Sequence, residues 1–205
     1  MCQTGSVETI TLTGALSDTD TWTSERCSIA RALAVVGTRS AMLLLREALY
    51  GTRRFDAFAR RVGISEPVAA ARLGELVDQG LLARRPYKEP GQRTRHEYEL
   101  TERGREFAVV LIALLQWGNR WESLGGAPTE LVHADCGNVV TAQIRCAQGH
   151  LVAIGDLELQ PGPGSSIART PASGGSHTRA DSAVDESLCG GAGVRERRGI
   201  VERSG

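Results

Sequence analysis

Aromatic residues make up only 4% of this 205-residue chain. No run of about 18 apolar residues occurs, so no segment suits a membrane-spanning helix. The first residues lack the basic and apolar regions of a secretory signal, which makes the cytoplasm the expected compartment. Cysteine is scarce and odd in number. Cys2, Cys27, Cys136, Cys146 and Cys189 are widely spaced, which argues against a secreted disulfide framework and suits reduced thiols. A phosphate-cradling glycine-rich loop is missing, and the few histidines stand in no interpretable nucleophile constellation, so an enzyme is not expected. What remains is a 41% hydrophobic composition, adequate for the core of one domain or two small ones.

The formal net charge is zero, which would ordinarily argue against a nucleic-acid partner, but the charges are segregated along the chain. Residues 1–25 hold Glu8, Asp18, Asp20 and Glu25 and no basic residue. From Arg26 to Glu122 there are 17 basic and 11 acidic residues, a net of +6, and the remainder carries 7 basic and 9 acidic. A local surplus of this kind favours phosphate contact through counterion release and implies salt-dependent binding.

That basic segment is organised around Phe55 to Thr101. Phe55, Phe58, Ala59 and Val62 fall at the i, i+3, i+4, i+7 spacing of one helix face, and Gly63 ends it. Ser65, whose hydroxyl can cap a helix, and Pro67 in the first turn open a second helix with Val68, Leu73, Leu76 and Val77 inward, ending at Gly80. Two such helices around a tight turn form the unit that places one helix in the major groove of DNA. Residues 81–87 and 95–100 alternate as half-buried strands around a basic tip with a Pro90-Gly91 turn. A basic hairpin in this position is a wing, fit to lay Lys and Arg on phosphates.

On the exposed face of the second helix, Ser65, Glu66, Ala69, Ala70 and Arg72 are the expected base-reading residues. Arg72 is the strongest, its fork suited to guanine, with a salt bridge to Glu75 or Glu66 or a phosphate clamp as its rival roles. Lys88, Arg93 and Arg95 in the wing, and Arg53-Arg54 before the first helix, are expected on phosphates. Only one of Arg84 and Arg85 can face DNA, since strand neighbours point to opposite sides.

These motifs resemble the HxlR-type winged helix-turn-helix transcriptional regulators, relatives of the MarR group. The resemblance spans about Cys27 to Trp121. It rests on the runs Cys27-Ser28-Ile29-Ala30-Arg31-Ala32-Leu33, Gly51-Thr52-Arg53-Arg54-Phe55, Ala71-Arg72-Leu73-Gly74-Glu75-Leu76, Gly80-Leu81-Leu82, and Tyr98-Glu99-Leu100-Thr101-Glu102-Arg103-Gly104. Ser40 stands where that family usually carries Trp, so the start of the following helix is expected to be repacked. The resemblance implies a mainly α fold with a small β-hairpin wing, double-stranded operator DNA as partner, and a homodimer joined through the first and last helices of the domain. It also aligns Cys27 with a cysteine that several members use to sense oxidants or electrophiles. The residues themselves leave Cys27 as either a thiolate favoured by a helix N-terminus and neighbouring Arg26 and Arg31, or a small hydrophobe at a dimer seam.

Around this core, residues 1–24 are expected to form a flexible arm, residues 25–122 the DNA-binding and dimerisation domain, residues 128–160 a small β-rich appendage and residues 161–205 a disordered tail. Within the domain, a helix over 28–36 carries Ile29, Ala32, Leu33 and Val36. A second, capped by Ser40 and spanning 41–50, is apolar almost all round and hence buried. Thr101 caps a long helix to Trp121 whose surplus apolar face calls for a second copy of the chain. In the appendage, the runs 139–144 and 151–154 are expected as strands. His133, Cys136, Cys146 and His150 there form a four-residue zinc candidate, although longer relatives of the resembled family carry a Cys-x2-Cys where this chain has Cys146 and Gly149. Ordinary reduced thiols are the reading preferred, and no cofactor is expected. The sequence thus points to a dimeric DNA-binding regulator responsive to an oxidant, an electrophile or a small ligand. A winged-helix protein-interaction module without specific DNA binding is the alternative.

Overall fold

The computed structural model describes residues 8–19, 27–91 and 93–165. The expected tail from residue 166 onward, Cys2, Cys189 and Arg26 lie outside the described residues. Four helices open the domain: α1 (Ser28–Val36), α2 (Arg39–Leu49), α3 (Phe55–Val62) and α4 (Glu66–Asp78). Strands β2 (Leu82–Tyr87) and β3 (Arg95–Leu100) follow as an antiparallel hairpin, then α5 (Glu102–Glu106) and α6 (Ala108–Trp121). A short parallel pair joins β1 (Thr11–Leu12) to β4 (Glu158–Leu159), so part of the expected arm is hydrogen-bonded to the end of the appendage. Among the described residues no single helix is long and apolar enough to cross a membrane.

The core gathers one face from each element: Val36 of α1, Leu44 and Leu45 of α2, Phe58 and Val62 of α3, Leu73 and Leu76 of α4, and Leu82 and Tyr98 of the hairpin. The start of α2 differs from expectation. Thr38 is the cap, its hydroxyl accepting from the Ala41 N–H at 3.2 Å, so the helix begins two residues earlier and Ser40 lies half-buried in its first turn. Nor is α2 apolar all round, because Glu47 is buried among its leucines at 3% exposure.

At the helix-turn-helix junction, Gly63 adopts φ +70° and Ile64 donates back to the Ala59 carbonyl at 3.1 Å, the left-handed ending that glycine allows. Ser65 holds the cap position of α4 with extended dihedrals but makes no side-chain cap bond. The face that α4 buries is Ala69, Leu73 and Leu76, while Val68 is 43% exposed. Residues 69, 73 and 76 share one helical face at spacings of four and three, whereas residue 68 sits about 100° away from 69.

The expected long helix divides at Phe107. Thr101 caps α5 by accepting from the Gly104 N–H at 3.1 Å, and its hydroxyl donates to the Gly80 carbonyl at 2.6 Å, fixing α5 to the base of the hairpin. Beyond the break, Phe107 and Leu111 pack against the core. The appendage holds isolated bridges, Val132 to Val139 and Arg145 to Leu151, where two strands were expected. Its backbone is spent on two tight turns: Gly137 donates to the His133 carbonyl at 2.8 Å and Gly149 to that of Cys146 at 2.9 Å. Gln116 of α6 tethers it with both ends of its amide, donating to the Val140 carbonyl at 2.6 Å and accepting from the Ala142 N–H at 2.7 Å.

Candidate nucleic-acid interface

The hairpin is fixed to α3 and to the two residues before it. Tyr98 meets Phe58 edge to face, ring centres 6.0 Å apart, and its N–H donates to the Arg53 carbonyl at 2.9 Å. Arg54 bridges Glu97, adding a short third edge to the hairpin, and its guanidinium lies 3.5 Å from the centre of the Tyr87 ring. Register pairs Leu82 with Leu100, Arg84 with Tyr98, Pro86 with His96 and Tyr87 with Arg95. The face carrying buried Leu82 and Tyr98 also carries Arg84 and His96, whereas Arg85 is on the opposite face, 3.8 Å from Glu99. Of the two neighbouring arginines, therefore, Arg84 is the one turned toward the helices.

Ser65, Glu66 and Ala70 are exposed along the first turns of α4, and Arg72 is half-buried with its guanidinium paired to Glu75. Ala69, expected at a base edge, is instead fully buried and cannot touch one. Lys88, Arg93 and Arg95 are exposed and have no ion pair among the described residues. Arg53 and Arg54 are committed in the free protein, Arg53 to Glu99 at 2.7 Å and Arg54 to Glu89 at 3.4 Å. Exposed pairs of this kind are worth about 1 kcal/mol or less, so phosphates can displace them.

Two clefts adjoin the helices. One, of about 370 Å³, opens between the hairpin, α3 and α4 and is lined by Asp56, Ala70, Arg84, Arg95 and His96 among others. The other, of about 450 Å³, lies between α1 and the α5–α6 corner, with Arg31, Val35, Leu81, Arg103 and Phe107 in its lining. Cys27 is an exposed free thiol at the cap of α1. The nearby Arg31 guanidinium contacts the Ser28 hydroxyl at 3.4 Å.

The zinc candidates do not assemble. His133 Nδ1 lies 3.3 Å from Cys136 Sγ within one turn, and Cys146 and His150 belong to the other. Among the described residues, no three His, Cys, Asp or Glu side chains come together to hold a metal ion. Backbone and side-chain hydrogen bonds from Asn138 hold the exposed Cys136 thiol below its ordinary range. Sequence reasoning missed Glu47, the cleft histidine His96 and the Gln116 tether. For His96 the sequence offered strand alternation, which puts it on the same face as Tyr98.

A three-helix core with a helix-turn-helix and a basic hairpin packed on its second helix defines a winged-helix DNA-binding protein. Residues 35–125 match the HxlR-like helix-turn-helix family. The chain is 40% identical over 139 residues to the uncharacterised HTH-type transcriptional regulator Rv3095 of Mycobacterium tuberculosis, an overlap of 67% of this chain and 87% of that protein. Among solved structures, it is similar to PA1607, a candidate transcription factor, with a TM-score of 0.59 and 33% identity, covering 65% of this chain and 94% of that one. PA1374 of Pseudomonas aeruginosa, also a candidate transcription factor, gives a TM-score of 0.50 and 38% identity, covering 68% and 95%. The chain belongs to the HxlR-like family of winged helix-turn-helix transcriptional regulators.

Proposed function

We propose that the protein is a homodimer that occupies a two-fold operator in double-stranded DNA. Helix α4 lies in the major groove with Ser65, Glu66, Ala70 and Arg72 at the base edges, and Lys88, Arg93, Arg95, Arg53 and Arg54 rest on flanking phosphates. The observation that carries this reading is the exposed face of α4 beside a wing whose Lys88, Arg93 and Arg95 have no internal acidic partner among the described residues. A protein-docking wing would have no use for such unpaired charge. Dimerisation is supported by apolar side chains that the single chain leaves in water: Ile29 and Leu33 on α1, and Val110, Leu114, Trp117 and Trp121 along α6. The α6 residues recur at spacings of four, three and four, one continuous stripe suited to a second copy.

The signal enters near α1. Cys27 holds the N-cap position of this helix, and the larger cleft lies between the helix and α5–α6, so oxidation of the thiol or occupation of the cleft would move the two recognition helices relative to one another. The test is binding of the purified protein to its own upstream DNA across a salt series, reduced and then treated with a mild thiol oxidant. Steeply salt-dependent binding that weakens on oxidation in the parent but not in Cys27→Ser is the expected result. Indifference to oxidant removes the thiol from the mechanism, and absence of specific binding removes the operator.

A further inference from the structure

We infer that the smaller cleft, between the wing and helices α3 and α4, is a seat for one backbone phosphate of duplex DNA, held by Arg84 and His96. This rests on the DNA-binding reading above and adds to it two residues and a defined place. Arg84 and His96 continue the sheet face that buries Leu82 and Tyr98, and beyond the edge of the core that face lines the cleft. Arg84 Nη2 is 3.1 Å from His96 Nδ1. A guanidinium has donors only, so Nδ1 must accept, and the proton of the neutral ring is fixed on Nε2. The pair therefore offers N–H donors without an acceptor.

Charge balance distinguishes the cleft's arginines from the paired arginines around them. Arg53, Arg54, Arg72 and Arg85 each have a carboxylate within ion-pair distance, whereas neither Arg84 nor Arg95 has one among the described residues. Asp56 is the acidic residue in the lining, and its carboxylate lies 3.7 Å from Arg60. Donors without acceptors suit a phosphate better than a base edge, which presents both kinds of group. Ala70, the α4 residue in the lining, presents only a methyl and leaves room for a sugar-phosphate strand to approach. A strand bordering the major groove passes between a recognition helix and its wing, which is where this cleft opens.

Because a phosphate contact is independent of sequence, the probe is a mixed-sequence duplex, followed by fluorescence anisotropy from low to moderate salt. Arg84→Ala should weaken binding about tenfold, the scale of one charge-assisted hydrogen bond. It should also reduce the slope of log affinity against log salt by about one. His96→Ala should weaken binding several-fold with the slope unchanged, and His96→Gln, which retains a side-chain N–H donor, should recover much of the loss. Asp56→Asn should tighten binding. Arg85→Ala, on the other face of the strand, serves as the matched loss of one charge, and its smaller effect is expected. Equal effects of Arg84→Ala and Arg85→Ala on affinity and slope would overturn the seat while leaving the regulator reading intact. Failure of the parent protein to bind duplex at all would overturn both. Calorimetry with inorganic phosphate at millimolar concentration separates a free anion from DNA. No saturable heat is expected, and saturable binding abolished by Arg84→Ala would replace the DNA seat with a small-anion site.

Discussion

Glu47 is 3% exposed beside Leu44 and Leu45, yet it stays ionised because of what surrounds it. Burial, the largest influence, works to raise its carboxyl, but hydrogen bonds from Arg46, Arg61 and Thr52 outweigh it and hold the group below the usual carboxylate range. A value lower in the folded than in the unfolded chain means that ionised Glu47 adds stability above the unfolded value, and that this is lost as pH falls through the folded one. Glu47→Gln should therefore lower stability near neutral pH by about 2 kcal/mol, read as an earlier urea midpoint, with the gap to the parent narrowing under acid. A gap independent of pH would show that packing, not charge, is what the substitution removed. Gly104 is constrained by space instead: a Cβ there would stand 2.1 Å from the Leu81 carbonyl oxygen. Gly104→Ala should lower the thermal midpoint, by roughly 1–3 kcal/mol of overpacking, whereas Gly74→Ala on open α4 should raise it, by about 0.5–1 kcal/mol of helix propensity.

Helix α4 carries Val68-Ala69-Ala70-Ala71 at its start, a run in which small apolar side chains occur on every side. Read alone, such a run has no orientation, and Val68, its most hydrophobic member, was the one expected to be buried. The longer pattern decides otherwise: Leu73 and Leu76, four and seven residues on, share a face with 69 and bring it inward, and Val68 is left at the surface. Neighbouring alanines should then respond in opposite ways to the same change. Ala69→Glu buries an unpaired carboxylate at a cost of several kcal/mol and should abolish cooperative unfolding, followed by circular dichroism. Ala70→Glu should leave the melt nearly unchanged and weaken duplex binding by placing a negative charge on the proposed DNA face. If both variants melt alike, the assigned face of α4 is wrong.

At the scale of the molecule, α1 and α6 leave large apolar side chains in water among the described residues: Ile29 is 71%, Trp117 54% and Trp121 63% exposed. Leu114→Glu combined with Trp117→Glu should give a monomer by light scattering, and operator affinity should fall steeply because only one half-site is engaged at a time. A persistent dimer would place the interface elsewhere. Sequence by itself determined the bounds of α1, α3 and β3, the wing after α4, and the segregation of basic charge, because periodicity, glycine stops and strand alternation act between residues close in the chain. Only tertiary structure decided that Glu47 is buried and paired with distant Arg61 and that Arg84 rather than Arg85 faces the helices. It also decided that the long helix breaks at Phe107, that β1 pairs with β4, and that the appendage's two Cys–His turns stay apart. Each of these depends on groups far apart in sequence arriving at one place, where volume and hydrogen-bond satisfaction choose among local alternatives of nearly equal energy.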